Sequence, residues 1–120
     1  MESLIHTKSL EFSYMIVDLY QHIIKQNEYV LSKQILRSWT SIWANVKESK
    51  FASSKKDFVH KMRIALKEAN ETSYRIDLIE YWWYTAWFEN INHIKDSSVE
   101  IIKILSSIVK TTKENIRNNS

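Results

Sequence analysis

Apolar side chains recur at alternating steps of three and four residues along four segments of the chain, the spacing of one face of an α-helix. This spacing predicts helices over residues 8–26, 30–49, 54–83 and 85–116. Asn27 is expected to end the first helix, because Asn tolerates the left-handed backbone conformation where Gly is missing. The segment Ser54-Lys55-Lys56-Asp57 has the form of a capping box and is expected to start the third helix.

Five Trp residues fall within the predicted helices or beside them. Trp39, Trp83 and Trp87 lie on the apolar seams and are expected in the core. Trp43 and Trp82 lie off the seams and are expected either at the surface or in a contact between subunits. Thr85 is the predicted N-cap of the fourth helix, so Trp87 is expected in that helix's first turn.

Four amphipathic helices with short connections predict an all-α fold, a single domain over residues 1–120 built as an up-down-up-down antiparallel four-helix bundle. The helices carry more apolar residues than one bundle interior is expected to hold. The surplus predicts an exposed apolar stripe and hence a homo-oligomer. The predicted interface residues are Leu36, Trp43, Val59, Leu66, Ile102 and Val109.

The chain of 120 residues contains no Gly, no Pro and no Cys. Without Gly, β-hairpin turns and Gly-rich phosphate loops are hard to build, since both need backbone with positive φ. Without Cys there are no disulfides, thiolate metal sites or thiol nucleophiles, which is compatible with a cytoplasmic protein. No signal peptide or membrane-spanning run is recognised, so no membrane association is expected. The missing Gly and Pro are compatible with either a divergent natural sequence or an edited one.

Charge is segregated along the sequence although the formal net charge is only +3. Residues 33–67 carry nine basic side chains against two acidic ones, and residues 68–100 carry seven acidic against two basic. The basic segment is either a surface that binds RNA or DNA through phosphate contacts or an ordinary solvated face. The candidate nucleic-acid-binding residues are Arg37, Lys47, Lys50, Lys55, Lys56, Lys61 and Arg63.

A structural polar network is predicted from Arg37, Asn45, Glu48 and Glu71, with the first three on one helix and Glu71 on its neighbour. A metal centre of the bundle type needs repeated Glu-x-x-His spacing, and only Asp57 and His60 approach it. No nucleophile motif is recognised either. The sequence therefore predicts no catalytic residues, no cofactor, no metal and no small-molecule substrate.

Residues 32–72 resemble a bacterial four-helix-bundle family whose founding members are encoded in intervening sequences of 23S ribosomal RNA genes. The resemblance rests on Arg37-Ser38, Ser41-Ile42-Trp43-Ala44-Asn45-Val46-Lys47-Glu48, Ser54-Lys55-Lys56-Asp57-Phe58, Ala65-Leu66-Lys67-Glu68-Ala69-Asn70-Glu71-Thr72 and, more weakly, residues 104–110. It implies a ring, commonly a pentamer, without known catalytic activity. A related branch, the accessory protein of diversity-generating retroelements, implies contact with nucleic acid. The chain departs from the family at Trp43 and at residues 81–84, where a Gly-containing turn is usual.

Overall fold

The computed structural model of the protein describes the backbone of residues 2–119 and the side chains of residues 4–119. It consists of four helices: α1 Glu2–Ile24, α2 Leu31–Ser49, α3 Lys55–Tyr81 and α4 Ile91–Asn118. No strand occurs in this part of the chain, and the predicted all-α class is confirmed. The bounds of α2 and α3 match the prediction closely. In contrast, α1 starts earlier than residue 8, and α4 starts at Ile91 rather than at residue 85.

Contacts between the helices give the chain direction of the bundle. Along α1, His6 meets Trp43 and Phe12 meets Trp39, so the residue numbers rise on α1 as they fall on α2. The α2–α3 and α3–α4 pairs are also antiparallel, because each is joined by a short connection and has an ion pair beside it, Lys61 with Glu48 and Lys95 with Glu80. Contacts of Lys8 with Glu100 and of Met15 with Ser97 close α1 against α4. The predicted up-down-up-down bundle is confirmed, with a long axis of 53 Å.

The core follows the predicted seams through most of its length. Phe12, Met62 and Leu105 are among the fully buried side chains. The small residues Ala65 and Ala69 on α3 are buried as well. The expectation that Val59 and Val109 are surplus to the core is wrong, because both are buried within one subunit. The interior of the bundle is therefore wider than the seams alone indicate.

The connection between α1 and α2 is organised by Asn27 and Glu28. Asn27 has φ 63°, the left-handed conformation expected of the residue that ends this helix. The Glu28 carboxylate then accepts hydrogen bonds from the backbone N–H groups of Val30, Leu31 and Ser32 at 3.0, 2.8 and 2.8 Å. Burial raises the pKa of Glu28, but the N–H donors of Leu31, Ser32 and Val30 together lower that pKa below its ordinary value. Glu28 thus caps α2 as an anion.

The start of α3 agrees with the capping signal in the sequence. Ser54 is the N-cap, and its side chain accepts a hydrogen bond of 3.1 Å from the Asp57 backbone N–H. The Asp57 carboxylate in turn accepts a 3.0 Å bond from the N–H of Ser53, one residue before the N-cap. A carboxylate in the first turn of a helix is also favoured by the helix dipole.

The end of α3 differs most from the prediction. The Trp83 N–H donates to Glu80 O, and the Tyr84 N–H donates to Ile79 O, the hydrogen-bond pattern of a Schellman motif. Trp83 therefore takes the left-handed position, with φ 68°, and Trp87 follows with φ 67°. The expectation that Trp83 and Trp87 lie in the core is wrong: they are 79% and 97% exposed. The two positive-φ residues turn the chain outward before α4 begins.

Candidate interaction surfaces

The outer side of α1 carries an exposed apolar row. Leu10, Tyr14 and Val17 follow one another by four and three residues and are all exposed. Leu36 and Trp43, seven residues apart on α2, are half-buried, and Trp43 lies on the side of α2 that faces α1, since its ring meets that of His6. Together these five residues form what is called here the α1–α2 strip.

The six predicted interface residues are divided by the structure. Trp43, Leu66 and Ile102 are partly buried and pack against the core, and Leu36 is half-buried. Val59 and Val109 are buried. The periodicity of α2, α3 and α4 did not identify the most exposed apolar row, which lies on α1. The sequence does contain a signal for this row: the apolar residues of the first helix cover a wider arc than one core-facing seam needs.

The connection between α3 and α4 presents a second exposed surface, termed here the aromatic turn (residues 81–90). Trp82 is exposed along with Tyr81, Trp83 and Trp87. The turn is nevertheless held at two points: His22 Nε2 of α1 lies 2.9 Å from Ala86 O, and Gln26 Nε2, just after α1, donates to Tyr84 O at 2.7 Å. The exposed indoles thus project from an anchored segment.

An open pocket of about 750 Å³ lies within this turn. Its walls are formed by Glu80, Tyr81, Trp82, Trp83, Thr85 and Ala86. Glu80 also accepts a 2.7 Å hydrogen bond from Lys95 Nζ, and this bond is the main cause that raises the pKa of Lys95 above its ordinary value. Residues 77–96 contain four carboxylates and one cation, so the surroundings of the pocket are acidic.

The opposite end of the bundle is basic. The antiparallel packing of α3 and α4 places Leu66 and Val109 along one groove, together with Lys110, Lys113 and Arg117. It therefore brings the end of α4 to the level of the α2–α3 connection. Residues 47–63 and 110–117 together carry nine basic side chains and three acidic ones. These two segments are called the basic end.

The predicted nucleic-acid-binding residues are not all at this end. Lys47, Lys50, Lys55 and Lys56 are exposed there, and Arg63 is exposed about two turns further along α3. Lys61 is half-buried and lies 3.6 Å from Glu48. Arg37 is exposed near the start of α2, far from the α2–α3 connection. Lys110, Lys113 and Arg117 are not predicted from the sequence, because their proximity depends on the pairing of helices distant in sequence.

The predicted polar network is not formed. Arg37 is exposed, and the Asn45 side chain donates to Ser41 O at 2.9 Å within its own helix. Positions eight residues apart differ by about 80° around a helix, so Arg37 and Asn45 do not share a face.

The polar contacts between α2 and α3 use other partners. The Arg75 guanidinium lies 3.7 Å from Glu71 and also bonds to the buried hydroxyl of Ser38. Glu48 pairs with Lys61 rather than with Glu71. Arg75 is thus a cation that the sequence did not identify, and it ties the C-terminal part of α3 to α2.

Neither a metal cluster nor a membrane-spanning helix is found in the described part of the chain. No three His, Asp or Glu side chains there converge on a point where an ion would be held. None of the described helices combines the length and apolar character needed to cross a bilayer.

Comparison with known proteins gives a family and a fold. A family model described as 23S rRNA-intervening sequence protein matches residues 1–107. A crystal structure of a protein of unknown function from the S23 ribosomal protein family of Bacteroides thetaiotaomicron VPI-5482 is 47% identical, with a TM-score of 0.85. The match covers 91% of this chain and 97% of that one. No protein with a curated description matches the chain significantly.

Proposed function

The chain belongs to the 23S rRNA-intervening sequence protein family, and from this premise we propose that it is a non-enzymatic protein that assembles side by side into a ring-like homo-oligomer. The observation that carries the proposal is the α1–α2 strip. Three exposed apolar side chains on one helix face, flanked by two half-buried ones, are typical of a surface that packs against another subunit. The resemblance described above favours five subunits.

The proposed absence of catalysis is supported by the contacts of the two groups whose pKa values are shifted. Glu28 is engaged in capping α2, and Lys95 is engaged with Glu80. A displaced pKa marks a catalytic group only where the group is free to act on a substrate. Both groups are instead engaged in contacts that stabilise the bundle.

Native mass spectrometry and sedimentation velocity of the Tyr14→Glu variant test the side-by-side assembly. A carboxylate in the middle of the strip would have to be buried without a partner, so the variant should sediment as a smaller species than the wild type. Tyr74→Glu is the matched control, because Tyr14 and Tyr74 are both 64% exposed and Tyr74 lies on α3, away from the strip. A monomeric wild type, or an equal effect of the two substitutions, would refute the proposal.

The basic end supports a second candidate function, binding of RNA or DNA. A surplus of six positive charges at one end of a bundle about 20 Å across concentrates a field that attracts phosphates. Binding should be insensitive to sequence, because no base-reading element is present among the described helices. Ring assembly would repeat the basic end several times, so the two functions are compatible.

Fluorescence anisotropy with a labelled single strand tests this second candidate. Lys55→Glu/Lys56→Glu should weaken binding and lower the slope of log affinity against log salt by about two. Lys25→Glu/Lys33→Glu makes the same charge change at exposed positions near the other end of the bundle and should leave that slope nearly unchanged. If the two double variants behave alike, the basic end is not the binding site.

A further inference from the structure

The two ends of the bundle carry complementary features. At the basic end, Phe51 projects from the α2–α3 connection and is 83% exposed. Its neighbours in sequence include the exposed cations Lys50, Lys55 and Lys56. At the other end, the aromatic turn forms an open pocket with an acidic surround. One end therefore presents an apolar projection among cations, and the other an apolar cavity within a segment, residues 77–96, that has four carboxylates and one cation.

We propose that Phe51 of one copy of this chain inserts into the aromatic pocket of another copy, so that subunits associate end to end. The pocket volume of about 750 Å³ lies within the range of about 300–1,000 Å³ typical of binding pockets. An aromatic ring among Tyr81, Trp82 and Trp83 would gain both burial and ring–ring contact. Lys50, Lys55 and Lys56 would lie over indole faces or beside Glu89, so cation–π and charge attraction add to the contact.

The two surfaces belong to opposite ends of the same helix. Phe51 precedes α3 (Lys55–Tyr81) and the pocket follows it, so one subunit cannot fill its own pocket. The contact is therefore heterologous, and it extends into a chain of subunits unless its rotation closes a ring. This association goes beyond the proposed side-by-side assembly because it uses neither the α1–α2 strip nor its residues.

The turn that forms the pocket is anchored to the bundle, which favours binding of a partner there. Ala86 O is held by His22 of α1 and Tyr84 O by Gln26 just after that helix, and Phe88 packs beside the His22 ring at a centroid distance of 5.2 Å. A pocket that is already formed loses little conformational entropy on binding. Exposed Trp residues on such a support are the type of side chain that dominates binding energy at protein interfaces.

Sedimentation velocity in the Tyr14→Glu background, where side-by-side assembly is disabled, tests the proposal. The background protein should grow in mean mass between micromolar and submillimolar concentrations, and added salt should reduce that growth. Phe51→Ser removes the projection, and Trp83→Asn removes a pocket wall with a residue that tolerates positive φ. Each should weaken self-association about tenfold or more.

The matched control is Trp87→Asn. Trp87 has nearly the same φ as Trp83 and is more exposed, but it does not line the pocket. This variant should associate as the background protein does. Far-UV circular dichroism of each variant checks that the helices are retained.

A mixing experiment gives the sharpest outcome. Phe51→Ser keeps an intact pocket and Trp83→Asn keeps an intact Phe51, so an equimolar mixture should form pairs that stop at two subunits. Absence of growth in the background protein, a loss caused equally by Trp87→Asn, or failure of the mixture to pair would each overturn the proposal. None of these outcomes affects the side-by-side assembly, which is tested by Tyr14→Glu in the wild-type sequence.

Discussion

Replacing Trp87 with Gly is expected to stabilise the protein although it removes a tryptophan side chain. Trp87 has φ 67° and is 97% exposed, so it occupies a conformation that is unfavourable for an L-residue and buries almost nothing in return. The left-handed conformation costs about 1–2 kcal/mol for a residue with a Cβ, whereas Gly adopts it freely.

The size of the gain follows from two opposing terms. Relief of the backbone strain at Trp87 raises the unfolding free energy by about 1–2 kcal/mol. The greater conformational freedom of Gly in the unfolded chain lowers it by about 0.5–1 kcal/mol. The expected net gain in unfolding free energy is about 0.5–1 kcal/mol.

Trp83 gives an internal comparison at nearly the same φ. It is 79% exposed, so about one fifth of a side chain that buries about 200 Å² is lost with it. At about 25 cal/mol per Å² this burial contributes about 1 kcal/mol. Trp83→Gly should therefore leave the stability nearly unchanged.

Urea denaturation followed by circular dichroism measures both effects. The variants must be compared at one protein concentration, because self-association shifts apparent stability. With a slope of about 2 kcal/mol/M, Trp87→Gly should raise the urea midpoint by about 0.3–0.5 M with no change in slope. Trp82→Gly is the control: Trp82 has φ −90°, so there is no strain to relieve and the midpoint should fall. A neutral or destabilising Trp87→Gly, or an equal gain at Trp82, would refute the reasoning.

Three further outcomes are expected from urea titrations. Glu28→Gln should lower stability by about 1 kcal/mol at neutral pH, because the anionic cap of α2 is lost. Since the folded pKa of Glu28 is lowered, this difference should be fully present above the ordinary pKa and disappear as the pH falls through the folded value. Val109→Ala should cost about 1–3 kcal/mol, whereas Val99→Ala, on the exposed side of the same helix, should cost less than about 0.5 kcal/mol; equal effects would contradict the burial of Val109. Arg75→Met should destabilise by about 1–3 kcal/mol, because the buried Ser38 hydroxyl loses its partner, and a neutral result would show that this contact is unimportant.

Two helix boundaries were predicted from a local signal, whereas the bounds of α2 were predicted from periodicity alone. Ser54 marks the start of α3 because its hydroxyl accepts a hydrogen bond from the Asp57 backbone N–H. Asn27 marks the turn after α1 because Asn tolerates a positive φ. At the start of α4 the predicted signal is wrong: the helix begins at Ile91 with Asn90 as its N-cap, not at Thr85. Trp83, Trp87 and Ile91 keep helical spacing although the first two leave the helix, and periodicity records spacing without recording the sign of φ.

The candidate surfaces could be predicted only in part, because they depend on which helices are neighbours. The aromatic residues at 81–84 depart from the family pattern in the sequence itself, but their exposure follows from the outward turn. The basic end requires the C-terminal part of α4 to lie beside the α2–α3 connection, which no local pattern contains. Likewise, Val59 and Val109 were assigned to the surface because the capacity of a bundle interior is a property of all four helices together.

The uneven placement of the indoles has a spectroscopic consequence. Trp39 is buried, whereas Trp82, Trp83 and Trp87 are largely in contact with solvent while the protein is folded. The native emission spectrum should therefore be dominated by hydrated indoles and lie close to that of the denatured chain. Intrinsic fluorescence would then report poorly on whether the helices are formed, but a blue shift with rising concentration would report directly on what covers the aromatic turn.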